Sequence, residues 1–528
     1  MPSHRAPFPL SSPSSPAATN DADEARPQPL PATIVSAHPS SLTLGCLDAS
    51  IDPFAPLGVE DTETSTNRQA PRAVAATLWR PSSAIPTEFL LGGEPAQPPT
   101  LPDGRAWALT TTLPASNNEA GAPASAETTT ELPHGVSLVG QKGGELRGLS
   151  LLPCTPAALE HWFAAGATSS GEDMVIRLAN VGSQPSVVTL AAWGARGPLD
   201  QLSQGLVVGA GETLSIQPGR YFPNEERLLL RLNADGPGVS AWLHSSAING
   251  EIPQGSAWVG STLPSTQLVI PGLTAQGAHS LRLAVPSLTA SAQTAAPTAK
   301  ENGAGEEAMT AQAEVTLRLI DTAGTHDIPG GTLSLAEHSV LDIDLPALTE
   351  TSTLVIESTL PVVSQIRTLY PGTQWPTGAA QPAQSTAESS AQRWTGRGLL
   401  TPSTPIRALS IPAATEMTTA LTRAFDAAII RPTSVTTPAE SSIASQDILL
   451  INPTPEPLTA RYGEEEKNIP AGSSMTLPLA GTQKTLSVEE GLHAAILIRA
   501  ELPTGNLDAV WPLGNVAMSG FTRALDLR

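Results

Sequence analysis

"LLLRLNADGPGVSAWLHSSA" (residues 228–247) reads as two strands of alternating apolar residues around a Gly-Pro-Gly turn. The same shape returns as "LVIESTLPVVSQIRTLYP" (354–371) and as "LSVEEGLHAAILIRAELP" (486–503). Ahead of each stands another strand pair: "DMVIRLANVGSQPSVVTLAAWG" (173–194), "HSLRLAVPS" (279–287) joined after an insert to "AEVTLRLID" (313–321), and "DILLINPTPEPLTARYG" (447–463). A further strand links the two pairs in every copy: "VGAGETLSIQPG" (208–219), "LAEHSVLDIDLP" (335–346) and "IPAGSSMTLPLA" (469–480). After the second pair each copy reaches a tryptophan: Trp258, Trp394 or Trp511. Two of these run on to "QLVIPG" (267–272) and "RALSIPA" (407–413), and the third to "TRALDLR" at the end of the chain.

Such a unit holds about seven short strands in roughly 100–110 residues, too long for a propeller blade and the size of an immunoglobulin-like sandwich. The expected fold class is therefore all-β, built from tandem immunoglobulin-like β-sandwich units. The units are expected over 158–275, 276–414 and 415–528, after a divergent β unit at 32–157 in which "GVSLVGQKGGELRGLSLLPC" (135–154) and "HWFAAGAT" (161–168) echo the pattern. Residues 1–31 and the tracts 117–133, 289–312 and 371–392 are rich in Ala, Thr, Ser and Pro, which cannot bury a core, and are expected as a disordered N-terminal segment and long polar inserts. "ATEMTTALTRAFDAAII" (414–430) is the one stretch that fits a helix.

Composition agrees. The 528 residues include 51 Pro and 43 Gly with only 15% charged, which favours short strands and turns, while 40% hydrophobic residues suffice for real cores. A formal net charge of -21 repels phosphate backbones and anionic lipid heads, so nucleic acid is not an expected partner. Neither the first 31 residues nor any later run has the length of a membrane span, so no transmembrane segment is expected in this sequence; "HAAILIRA" (493–500) is a core strand by length. The opening residues also lack the apolar run of a secretory leader.

Two cysteines, Cys46 and Cys154, are the whole complement. A single pair in an otherwise cysteine-free chain suggests an exported disulfide, one that would close a loop of about 108 residues. Histidines are scattered, with no pair at the i, i+4 spacing that sets two imidazoles on one zinc. No nucleophile elbow, phosphate loop or dinucleotide fingerprint occurs, and no cofactor is expected. His244 shares a strand face with Trp242 and Ser246, where a Ser-His site can be drawn but a packed histidine is the plainer reading. Asp342 and Asp344 share one face of "LDIDLP", expected to be solvated because calcium needs about six oxygens. "GEEEKN" (463–468) reads as a solvent-facing hairpin tip. Trp162, Trp258, Trp394 and Trp511 are expected as core plugs at equivalent places, whereas Trp375, in a Pro/Gly loop, is the candidate for an exposed ligand contact.

"GELRGLSLLPC" (144–154), "HWFAAGATSSGEDMVIRLAN" (161–180) and "QLVIPGL" (267–273) resemble segments of an actinobacterial cell-envelope family of unknown function. The resemblance runs over roughly residues 40–528. It implies an extracytoplasmic β-rich region, usually preceded by a membrane anchor that this N-terminus lacks, and it carries no catalytic residues to transfer. The resulting expectation is a non-catalytic, extracytoplasmic structural or interaction protein whose partner is an envelope protein or glycan. A glycan-binding module resting on Trp375 is the alternative, and a hydrolase using residues such as His244 a weaker one.

Overall fold

The computed structural model describes residues 33–37, 41–47, 77–79, 107–112, 135–141, 146–199, 202–250, 252–286, 312–372, 395–427, 442–502, 505–514 and 521–525. The expected disordered segment 1–31, the tract 117–133, nearly all of 289–312 and 371–392, and with them Trp375 and Trp394, lie outside these residues. What is described is all-β apart from one α-helix and a short 3-10 turn. It divides into two units. In the smaller, β1 (Thr33–Ala37) pairs antiparallel with a strand at Phe521–Leu525, from Thr33 opposite Leu525 to Ala37 opposite Phe521. The larger, 40–517, holds everything else.

Its first strands are β2 (Ser41–Cys46), β3 (Thr77–Trp79), β4 (Trp107–Thr112), β5 (Val136–Gln141), β6 (Gly148–Pro153) and β7 (Thr155–Pro156). Three blocks follow. The first contains β8 (Glu160–Phe163), β9 (Glu172–Ala179), β10 (Ser186–Gly194), β11 (Gly197–Pro198), β12 (Leu202–Val208), β13 (Thr213–Ile216), β14 (Leu229–Asp235), β15 (Ser240–Asn249) and β16 (Ile252–Gly260). The second contains β17 (Ser265–Leu273), β18 (Ala278–Ala284), β19 (Gln312–Ile320), β20 (Thr325–Ala336), β21 (Val340–Asp344), β22 (Ser352–Tyr370) and β23 (Gly396–Leu400). The third contains β24 (Ala408–Ile411), α1 (Ala414–Ala427), β25 (Ser442–Asn452), β26 (Leu458–Tyr462), β27 (Glu465–Ile469), β28 (Ser473–Pro478), β29 (Lys484–Val488), β30 (His493–Glu501) and β31 (Leu507–Leu513). The C-terminal strand of the smaller unit is β32.

One topology serves all three blocks. The first closes the sheets β8-β14-β10-β12 and β13-β9-β15-β16 on one core that includes Ile176, Leu190, Leu232 and Leu243. The second repeats this as β17-β22-β19-β20 and β21-β18-β22-β23, and the third as β24-β29-β26-β27 and β28-β25-β30-β31. Strand β17, read from sequence as the end of the preceding unit, pairs instead with β22 as the opening strand of the second block, and β24 likewise opens the third. The expected boundaries near 275 and 414 therefore sit one strand late. Segment 32–157 is not one sheet: β2, β4 and β7 pair together, whereas β5 and β6, with β3, extend the second block's sheet through a parallel bridge from β6 to β23.

The opening stretch turns between β14 and β15 on Gly236 and Gly238, both at φ 82°, a region that costs glycine nothing. In the third block Gly491 (φ 96°) stands between β29 and β30. The second block has no glycine from Leu354 to Tyr370, and the expected turn there is absent. The chain instead runs on as one 19-residue strand, β22, whose first half joins one sheet and whose second half joins the other.

Asn180, just after β9, and Asn452, the last residue of β25, occupy matching positions. Each is fully buried and clasps its turn: Asn180 Nδ2 donates to the carbonyls of Gln184 (2.8 Å) and Val208 (3.0 Å), and Asn452 Nδ2 to those of Glu456 (2.7 Å) and Ile469 (3.1 Å). The second block has Val285 here, and there the connection is the long insert. Asn452→Ala removes the side-chain donor to the buried Ile469 carbonyl and is expected to cost about 1–3 kcal/mol, read as a lower urea midpoint.

Helix α1 forms where Glu416 Oε2 accepts from the Ala413 N–H at 3.1 Å, half of a capping box, and buries Met417, Ala420, Leu421, Ala424 and Phe425 on one stripe.

The blocks are welded together. Trp162, Ala164, Trp193 and Leu229 of the first pack with Ala284, Val340 and Val363 of the second. Val269, Ile320 and Val355 of the second pack with Leu449 and Ile451 of the third. Leu47, Val139 and Leu152 pack on Trp242 and Trp258. A glycine node fastens three strands: the Ser256 N–H donates to the Arg147 carbonyl at 3.0 Å, the Arg397 N–H approaches the same oxygen at 3.4 Å, Gly148 and Gly255 let the backbones meet, and Gly396 leaves room for the side chains of Arg147 and Leu507.

Candidate functional site

Arginine inside an otherwise apolar strand must find partners on one face. In the second block three adjacent strands carry one each. Arg282 on β18 lies opposite Asp342 on β21; Arg367 on β22 lies opposite Ser280 and Leu399; Arg397 on β23 lies opposite Leu369. They share the sheet face turned to the first block, which contributes Ala164, Gly166 and Glu172 to a small, open cleft between the two.

Two of the three guanidinium groups hold carboxylates in bidentate pairs. Arg282 holds Asp342 through Nε–Oδ1 (2.7 Å) and Nη2–Oδ2 (2.8 Å), and donates to the carbonyls of Gly166 and Glu226. Arg397 grips Glu172 through Nη1–Oε2 (2.9 Å) and Nη2–Oε1 (3.2 Å), with Nη1 also on Ser245 Oγ (2.8 Å). Arg367 approaches Glu172 Oε1 only to 3.8 Å. Burial first, and then the charges of Arg397 and Arg282, hold Arg367 below the ordinary guanidinium value.

The chemistry expected from single residues is spent inside the molecule. His244 is buried against Trp258, ring centroids 4.7 Å apart, and burial followed by the nearby Arg397 charge pushes it down to about 3. A Ser-His pair does occur, at a place the sequence reading did not mark: Ser403 Oγ lies 2.9 Å from His493 Nδ1 and 3.2 Å from the Val269 carbonyl. Both side chains are buried, and burial pushes His493 down to about 4. The pair ties β17 to β30 through the bridge between Val269 and Ser403. Asp342, expected in solvent, is the ion-pair partner of Arg282, whereas Asp344 is exposed. At the β26–β27 tip Glu465 and Glu466 are exposed and meet Lys467 (2.9 Å) and Arg461 (3.1 Å).

Cys46 and Cys154 are bridged, with Cα atoms 4.4 Å apart, joining the end of β2 to the residue after β6. Trp162, Trp258 and Trp511 are buried, but not at equivalent places. Trp511 faces the third block's interior, Trp258 the outer face of its own block, and Trp162 stacks on Trp193 (5.4 Å) between the first two blocks. Among the described residues no three His, Cys, Asp or Glu are grouped to hold a metal ion, and no helix is long and apolar enough to cross a membrane.

Residues 112–437, more than half of the chain, match a family described as a family of unknown function, DUF5719. The chain belongs to that family. The DUF5719 match takes in the first two blocks, and so the whole arginine row, and ends ahead of β25. No curated protein matches the chain closely enough to count as a relative. The row itself was missed from sequence; its signal was the lone charge in "SLRLAV" (280–285) and "SQIRTLY" (364–370), an arginine repeated in strands that hold no carboxylate of their own nearby.

Buried neutral histidines have a consequence for pH. In the unfolded chain His244 and His493 take up protons near pH 6.5; in the folded protein they resist until about 3 and about 4. Unfolding therefore binds protons below pH 6.5, and the stability these groups contribute is complete above that value and lost as pH falls toward 4. His161 and His279, also lowered by burial, act in the same sense. The unfolding free energy is expected to drop by roughly 2 kcal/mol per pH unit between pH 6 and 5, read from urea midpoints.

Proposed function

We propose that the chain is a non-catalytic, extracytoplasmic structural or protein-interaction component of a bacterial cell envelope, of actinobacterial type. The observation that carries this reading is the Cys46–Cys154 bridge, because such bonds persist in oxidising compartments and are rare where thiols are kept reduced. A second support is how the reactive side chains are used: Ser403, His493 and His244 are enclosed, and the Ser403–His493 pair ties strands together.

Thiol labelling in the cells that make the protein tests the compartment. The expected result is that maleimide leaves both cysteines unlabelled until a reductant is added to the denatured protein, and that the protein fractionates with the envelope or the medium. Two free thiols on a protein recovered with cytosolic markers would contradict the proposal.

A further inference from the structure

The arginine row is one carboxylate short. Arg282, Arg367 and Arg397 face Glu172 and Asp342, and both carboxylates already accept bidentate pairs, from Arg397 and Arg282 respectively. What remains to Arg367 is the 3.8 Å approach to Glu172, and its side chain, 37% exposed, can be reached by an ion from solvent. Arg397 adds a second open position: its Nε is buried and makes no hydrogen bond, in a side chain 1% exposed. We infer that the cleft between the first and second blocks binds a small oxyanion, a carboxylate or phosphate, with Arg367 as its principal clamp.

The repeat shows that the fold does not need an arginine there. By strand register Arg367 corresponds to His244 in the first block and to Leu497 in the third, and both of those are buried without a carboxylate partner. The second block alone sets a cation at this position, beside two others, at the cost of mutual repulsion that an anion would relieve. The surrounding charge makes the cleft selective. A chain of net charge -21 repels anions in general, so one that enters does so because of local groups. Planar guanidinium donors match the paired oxygens of carboxylate and phosphate.

The inference stands apart from the proposed function. Titration calorimetry of the full chain with sodium phosphate and with sodium acetate, at ionic strength held constant by sodium chloride, tests it and tells the two chemistries apart. Saturable one-to-one binding of at least one ion is expected. Arg367→Gln is expected to weaken it about tenfold or more, whereas Arg407→Gln, at an exposed pair with Glu490, leaves it unchanged. If Arg367→Gln fails to fold, Arg367→Lys keeps the charge without the planar fork and is expected to weaken binding about threefold or more. No binding of either ion, or affinity indifferent to both Arg367 variants, would overturn the inference.

Discussion

Gly148→Ala is expected to lose more than about 4 kcal/mol, or to leave the protein insoluble, although it adds a single methyl group. A Cβ on Gly148 would lie 1.8 Å from the carbonyl oxygen of Ser256, which is backbone and cannot rotate away. That backbone is itself pinned, since the Ser256 N–H donates to the Arg147 carbonyl and Ser256 Oγ to the Leu146 carbonyl, both at 3.0 Å. To make room, β6 must part from β16, and the bridge to β23 goes with it. Gly481→Ala is the matched control: its Cβ meets nothing within 4 Å, and a change within about 1 kcal/mol is expected. Soluble yield and guanidinium unfolding of the two variants make the comparison.

Loss of the disulfide is expected to rank next. The bridge spans 108 residues of sequence and joins two sheets that otherwise share few strands: β2 pairs with β4 and β7, and β6 with β5 and β23. Closing a loop of that size is worth about 4–5 kcal/mol in the chain-entropy picture, and removal of native bridges costs about 2–5 kcal/mol in practice. Both cysteines are almost wholly buried, so a mild reductant is expected to act only after local opening. The double variant Cys46→Ala, Cys154→Ala should unfold at a clearly lower denaturant midpoint than the oxidised protein. Equal midpoints would mean that the bridge constrains nothing.

Much of this fold could be read from strand periodicity and turn chemistry. The strand–turn–strand stretches at 228–247 and 486–503 carry both signals, although each turn hands the chain from one sheet to the other, and helix α1 announced itself by its apolar stripe. Where one signal was missing the reading slipped. In 354–371 the alternation was right but no glycine marked a turn, and one long strand formed. The block boundaries slipped because "QLVIPG" (267–272) looks the same whether it closes one sandwich or opens the next; only its pairing with β22 decides. The tryptophans slipped because a one-residue offset reverses the face of a strand. Trp258 lies opposite His244, whereas Trp511 lies opposite Ile496, whose counterpart is Leu243. The cleft was the least legible part. Its charges come from four strands and from Glu172 of another block, and no local spacing encodes that meeting. The bridge between Cys46 and Cys154 needed no spacing rule, because two cysteines allow one pairing.

The cleft, the glycine node and the enclosed Ser403–His493 pair all lie between blocks and exist only if the blocks form one body. Scanning calorimetry of the full chain with its disulfide intact tests this most directly. The shared clusters around Trp162 and Leu449 predict one cooperative transition for the large unit, with the calorimetric enthalpy equal to the van't Hoff value. Separate transitions, with one block still folded after another has melted, would contradict it.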